Sequence, residues 1–230
     1  MDISRMQNRL QRIAHYFIES IIRNISGGVG QKIRYVYYKK RFVKCGKDVK
    51  IGIGVVLQGC EFMEIGNNVW IDDYCIIIAG ETGEMSDREV IKIRNKSFSG
   101  EEGYVYIGNN IHFAPFCIIH GYGGVEIKDY VGFSSGVKLY SMSNHYKSMK
   151  NTSMVTYTNP NVKDKPVVFV KSPIVINSNV LVSLNAIILV GEVGKNSFIS
   201  PASVVTMNIP ENSVAEGNPA RKIKNRFDDY

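Results

Sequence analysis

Little in this chain points out of a reducing compartment or into a lipid bilayer. Its 230 residues include four cysteines, Cys45, Cys60, Cys75 and Cys117. None forms a CxxC pair, which argues against a zinc ribbon or a dithiol redox motif. Single thiols set in apolar runs are expected to be buried and inert, as suits a cytoplasmic protein. No run reaches the roughly 18 apolar residues of a membrane span. The first 25 residues scatter arginines and lack an apolar core with a small-residue cleavage site, so no secretory leader is expected. Tryptophan occurs once, and neither an aromatic RNA-binding signature nor zinc-finger spacing is present. The net charge of +7 is therefore read as fitting an anionic small molecule or surface better than nucleic acid. Its basic residues cluster at Lys39-Lys40-Arg41 and at Arg221, Lys222, Lys224 and Arg226.

What is present is a period of six. Ile65, Ile71 and Ile77 are six apart, and so are Ile107, Phe113 and Ile119. Ile127, Phe133 and Leu139 continue the series, followed by Ile176, Val182 and Ile188, then Val193, Ile199 and Val205. Gly, Asp, Asn or Ser follows many of them, as in Ile65-Gly66, Ile71-Asp72 and Ile199-Ser200. A helix would need apolar residues about 3.6 apart and a half-buried strand would need alternation. Six residues instead hold one short strand and one turn. Three such units close a triangular coil, and the coils stack like strand on like strand. A sandwich of short strands would recur at roughly 8–12 residues without a fixed phase. The expected fold is an all-β parallel solenoid of hexapeptide repeats.

The ladder breaks near 80–104 and again near 140–171, and insertions of this kind often build a binding face. Ahead of the repeats, Met6, Leu10, Ile13, Phe17, Ile21 and Ile25 keep helical spacing, with Gly27-Gly28 as a stop. A basic, aromatic segment follows from Ile33 to Phe42. This N-terminal part reads either as a helix lying on a membrane surface or as a cap on the first coil; the cap is favoured, because solenoid ends need covering. The organisation is thus a helical cap over 1–43, a β-helix over 44–215 and a basic tail over 216–230.

Four histidines are candidates for proton transfer, since an imidazole titrates near neutrality. His15 lies on the N-terminal helix, and His112 is placed in a turn facing solvent. His120 sits beside the glycine-rich turn Gly121-Tyr122-Gly123. His145 stands in Ser143-Asn144-His145-Tyr146, where the second interruption opens. The residues alone rank His120 and His145 equally.

The coils, the loop histidine and the ending Glu216-Gly217-Asn218-Pro219-Ala220-Arg221-Lys222-Ile223 together resemble the left-handed β-helix acetyltransferases, among them galactoside, maltose, serine and xenobiotic acetyltransferases. Tyr37-Tyr38-Lys39 and Cys45-Gly46-Lys47 resemble the subgroup that decorates bacterial surface polysaccharides. The resemblance implies acetyl-CoA as donor, no metal, a saccharide acceptor and a homotrimer with active sites between subunits. It implies His145 as general base. Ser183 would contact the thioester, Pro201, Ala202 and Thr206 would line the pantetheine groove, and Arg221 and Lys222 would approach the CoA phosphates. His120, Tyr122 and Asn144 are then candidates to bind the acceptor.

The expected reaction is O-acetylation of a sugar hydroxyl in capsule or lipopolysaccharide assembly, in the cytoplasm or at the inner face of the membrane. The alternative is N-acetylation of a nucleotide-linked amino sugar. A zinc enzyme like the γ-class carbonic anhydrases fits the spacing of His112, His120 and His145 poorly, and a non-catalytic scaffold is the remaining reading. Ala114-Pro115-Phe116-Cys117 stands where galactoside-type enzymes carry a polar acceptor-binding residue, which argues against a simple galactoside.

Overall fold

Residues six apart in sequence come to lie on successive faces of a three-sided coil. A computed structural model describes residues 3–81, 88–150, 155 and 167–228, with side chains from residue 13 onward. The side chains of the spacing residues Met6 and Leu10, the segment Thr82-Gly83-Glu84 and residues 151–154 and 156–166 of the second insertion lie outside that description.

The first face stacks six parallel strands, from Lys44–Cys45 to Gly191–Val193. The second face stacks eight, beginning with Lys50–Ile51 and ending with Ser213–Gly217 and Ala220–Asn225. The third stacks six, from Val56–Gln58 to Val204–Val205. Register keeps the hexad residues on top of one another. Ile71 pairs with Phe113, Phe113 with Phe133, and Phe133 with Val182. All are fully buried or nearly so, and each such side chain contributes on the order of 1.5–3 kcal/mol through burial. The rings of Phe113 and Phe133 stack at 4.8 Å and 3° in the core.

The corner between the first and second faces shows why the turn residues are Asn. Asn68, Asn110, Asn179, Asn196 and Asn212 all adopt left-handed backbone angles there, with φ between 53° and 59°. Their side chains form a ladder: Asn179 donates to Asn196, and Asn196 to Asn212, each at 2.9 Å. Asn tolerates this conformation and offers both a donor and an acceptor to the coils on either side.

Two helices precede the coils, α1 (Ile3–Ile22) and α2 (Gly27–Lys39). Gly27 opens α2 rather than stopping a helix that reaches Ile25, and the aromatic segment from Ile33 belongs mostly to α2. That helix packs on the first coil through Gly30, Arg34 and Tyr38. Arg34 is buried and donates to the carbonyls of Ile51, Ile22 and Ile25 at 2.9, 3.0 and 2.7 Å, which ties the interhelical turn to the solenoid.

At the other end, the expected tail is a structured element. Ala220–Asn225 folds back antiparallel on Ser213–Gly217, with Glu216 opposite Arg221 and Ala215 opposite Lys222. Only Ala220 of that strand is buried, and Arg221, Lys222, Ile223 and Lys224 are all exposed.

Candidate functional site

Both interruptions leave from the corner between the third and first faces, and they pair with each other. Glu89–Lys92 of the first insertion runs parallel to Val168–Lys171 of the second, and Met142–Asn144 runs antiparallel to Val168–Lys171. The three-stranded sheet so formed is separate from the three solenoid faces, and His145 directly follows its strand Met142–Asn144. Asn144 lies opposite Phe169. The backbone N–H of His145 donates to the Val168 carbonyl at 2.8 Å, which fixes the Cα position. Its Nδ1 lies 2.6 Å from the Lys147 carbonyl oxygen. The Lys147 N–H also lies 3.3 Å from this Nδ1, so the two contacts call for opposite tautomers; the shorter one, to a carbonyl that only accepts, favours a proton on Nδ1 and a lone pair on Nε2. The imidazole stacks on the exposed ring of Tyr146, with centroids 4.7 Å apart.

The turn after His145 is anchored by the first insertion. Glu89 accepts a hydrogen bond from the Ser148 hydroxyl at 2.5 Å and from the Met149 N–H at 2.7 Å. The Ser148 hydrogen bond, with that of Met149 and the charge of Lys150, holds the Glu89 carboxyl below its ordinary range. Glu102, also from the first insertion, accepts from Lys171 at 2.6 Å and Lys92 at 2.7 Å. Burial opposes its ionisation, but the two lysines outweigh burial and hold its carboxyl below the usual value.

His120 lies at the end of strand Ile118–His120 on the third face. Its ring sits between Tyr140, stacked at 5.3 Å, and Tyr122, edge-on at 4.8 Å. Its Nδ1 is buried without a hydrogen-bond partner among the described residues, and burial pushes its pKa below the ordinary 6.5. The His120 carbonyl accepts from both the N–H and the hydroxyl of Ser141, at 3.0 and 2.9 Å, and that hydroxyl accepts from the Gly123 N–H at 2.9 Å. A Cβ on Gly123 would fall 2.1 Å from the Ser141 carbonyl oxygen, so only glycine lets the turn meet the mouth of the second insertion. Tyr122 also lines a polar cleft of about 520 Å³, together with Gln58, Glu61, Phe62 and Arg41.

The remaining candidates lie elsewhere. Ser183 follows strand Leu181–Val182 at the corner between the second and third faces. Pro201 and Ala202 stack one coil on, with the Ala202 N–H donating to the Leu184 carbonyl at 2.8 Å. His145 leaves from the opposite edge of the third face, beyond Lys138–Tyr140. One chain thus does not bring His145 and Ser183 together. Thr206 follows Val204–Val205 at the edge from which the insertions leave, and Arg221 and Lys222 are exposed on the last strand.

His112 is in strand Ile111–Phe113, not a turn, and its Nε2 lies 2.9 Å from an Asp72 carboxylate oxygen on the exposed side of the second face. His112 and His120 lie on two different faces, and His145 follows a strand of the separate three-stranded sheet. Among the described residues no group of three His, Cys, Asp or Glu side chains is arranged to hold a metal ion. The role of Glu89 was not legible in the sequence, because nothing in a hexad pattern couples one insertion to the other.

The solenoid is shared with known enzymes. The chain is 31% identical over 186 residues to the dTDP-4-amino-4,6-dideoxy-D-glucose acyltransferase of Escherichia coli, spanning 80% of this chain and 83% of that protein. A mutant of AntD, an N-acyltransferase from Bacillus cereus solved with dTDP and coenzyme A, superposes with a TM-score of 0.65 at 22% identity, covering 84% of this chain and 88% of that one. A hexapeptide-repeat acetyltransferase of Vibrio cholerae solved with acetyl coenzyme A gives a TM-score of 0.51 at 18% identity, covering 92% and 83%. No protein-family model matches the chain.

The fold is that of the left-handed β-helix acyltransferases. The chain belongs to the hexapeptide-repeat sugar acyltransferases and is an acyl-transferring enzyme.

Proposed function

We propose that this enzyme transfers an acetyl group from acetyl-CoA to the amine of a nucleotide-linked amino sugar. The observation that carries this reading is the 31% identity, over most of both chains, to an acyltransferase of dTDP-4-amino-4,6-dideoxy-D-glucose. His145 acts as general base. As the amine attacks the thioester carbonyl, Nε2 takes the proton that the nitrogen must lose, and then returns it to the departing CoA thiolate. The 2.6 Å contact of Nδ1 with the Lys147 carbonyl supports this role, because it favours the tautomer whose Nε2 is basic over the one called for by the longer, 3.3 Å contact with the Lys147 N–H. The Ser183 region supplies donors to the developing oxyanion, which backbone N–H groups stabilise best. Pro201, Ala202 and Thr206 line the pantetheine arm, and Arg221 and Lys222 face the CoA phosphates as exposed cations. His120, Tyr122 and Asn144 hold the acceptor.

His145 and Ser183 belong to opposite edges of one face, a separation on the order of 10 Å or more across a three-residue strand. The catalytic centre is therefore completed by a second copy, His145 of one subunit meeting Ser183 of the next in a trimer.

One observation favours a second reading, acetylation of a sugar hydroxyl in a surface polysaccharide. A hydroxyl needs a base more than an amine does, and the imidazole of His145 provides one. Thiol release from acetyl-CoA separates the two. A nucleotide-linked 4-amino sugar and its 4-hydroxy counterpart are offered in parallel, and the product is weighed by mass spectrometry. Reaction of the amine alone supports N-acetylation, faster reaction of the hydroxyl supports the second reading, and no release with either class of sugar overturns both.

A further inference from the structure

The helical cap turns the wrong side outward for a cap in water. A solenoid's terminal element needs a polar outer face. Here α2 directs Gly30, Arg34 and Tyr38 at the coil, and the opposite stripe is Val29, Ile33 and Val36, which are 70%, 38% and 52% exposed. Its neighbour α1 exposes Ile13, Tyr16, Phe17 and Ile21, with Phe17 at 68%. Between the helices runs a groove of about 650 Å³ whose walls include Ile18, Ile22, Ile33 and Val36 and whose cations are Lys32, Lys40 and Arg41. Exposed apolar area of this extent marks a surface that something covers.

Charge identifies the cover. The first 50 residues hold 12 Lys and Arg against 3 Asp and Glu, a net +9, whereas the other 180 residues sum to −2. The chain's whole positive excess thus sits in the segment that carries the apolar stripe. A second copy docking through this face would bring a like charge of the same size against it. An anionic surface is complementary, and no helix among the described residues is long and apolar enough to cross a bilayer. We infer that α1 and α2 lie on an anionic phospholipid bilayer, with the stripe of Phe17, Ile21, Ile33 and Val36 in the acyl boundary and Lys32, Lys39 and Lys40 among the headgroup phosphates. The active centre is thereby held at the membrane surface, whichever acceptor it uses.

The test is sedimentation of the full chain with vesicles of phosphatidylcholine alone and with phosphatidylglycerol added. Binding is expected only with phosphatidylglycerol, falling at least about tenfold as salt is raised to about 0.5 M, where surface charges are screened. The double variant Phe17→Glu, Val36→Glu is expected to lose vesicle binding while keeping its circular dichroism and its thiol-release activity. The inference is overturned if the unmodified chain stays in the supernatant, or if it binds both vesicle types alike. It is also overturned if the double variant differs only in sedimenting as a smaller oligomer, which would make the stripe an interface between copies. None of these readouts depends on the identity of the acceptor.

Discussion

The Nδ1 of His145 and the carbonyl oxygen of Lys147 lie 2.6 Å apart, closer than the 3.3 Å between the same nitrogen and the Lys147 N–H. The nearer oxygen can only accept, which favours a proton on Nδ1. Nitrogen-15 NMR of histidine-labelled protein above the imidazole pKa is expected to show His145 protonated at Nδ1 and bare at Nε2. The opposite tautomer would remove the base from the proposed mechanism.

Glu89 holds the turn that presents the Lys147 carbonyl. Glu89→Ala is expected to lower kcat by up to about a hundredfold, the cost of misplacing a reacting group by about 1 Å, with little change in KM for acetyl-CoA. The variant's His145 NMR signals should lose their single tautomer, a change that a general loss of stability would not produce. Both Glu89 and Glu102 have carboxyls held below the ordinary value of 4.5. Their contribution is present above that value and is lost as pH falls through the lowered pKa of each. Proteolysis of the insertions is therefore expected to rise below about pH 4.5 before the coils unfold.

His120 is packed between two tyrosines, and burial lowers its pKa below 6.5. The unfolded chain takes up a proton there more readily than the folded one. Stability is expected to fall as pH drops below about 6.5 and to level off once the folded-state pKa is passed. Melting curves of the parent and of His120→Asn should diverge in that window, with the variant less sensitive to pH.

Arg34 ties the cap to the first coil through three carbonyls. Arg34→Ala removes the guanidinium donors from these carbonyls, of which the Ile22 oxygen keeps only a long contact with the Ile25 N–H, and is expected to cost roughly 2–4 kcal/mol, seen as early proteolysis near residue 25. Phe133→Ala removes one ring of the core stack and is expected to cost about 3–5 kcal/mol in chemical denaturation, spread across neighbouring coils.

The solenoid was legible because its rule is local. A core residue every sixth position and Asn or Gly at the turn fix both the face and the register, as at Ile71, Phe113 and Phe133. The sheet made by the two insertions was not legible. Val90 meets Phe169 across 79 residues of sequence, and no period marks either strand. Helix α2 was missed in part because Gly27-Gly28 reads as a stop, whereas a glycine is equally acceptable where a helix begins. Likewise His112 looked like a turn residue by composition, but the parallel register with Trp70 places it in mid-strand. At the site, His145 stood out only because a family pattern singled it from His120. The contacts that orient its ring, from Lys147 and through Glu89, depend on packing between segments that the sequence does not relate.

The central claim is that His145 carries out proton transfer in an acyltransferase. It is tested most directly by thiol release from acetyl-CoA, with a nucleotide-linked amino sugar as acceptor, comparing the parent with His145→Ala. The account predicts a fall in kcat on the order of a hundred- to ten-thousand-fold, with circular dichroism and oligomeric state unchanged. A folded His145→Ala protein with the parent's kcat would contradict it.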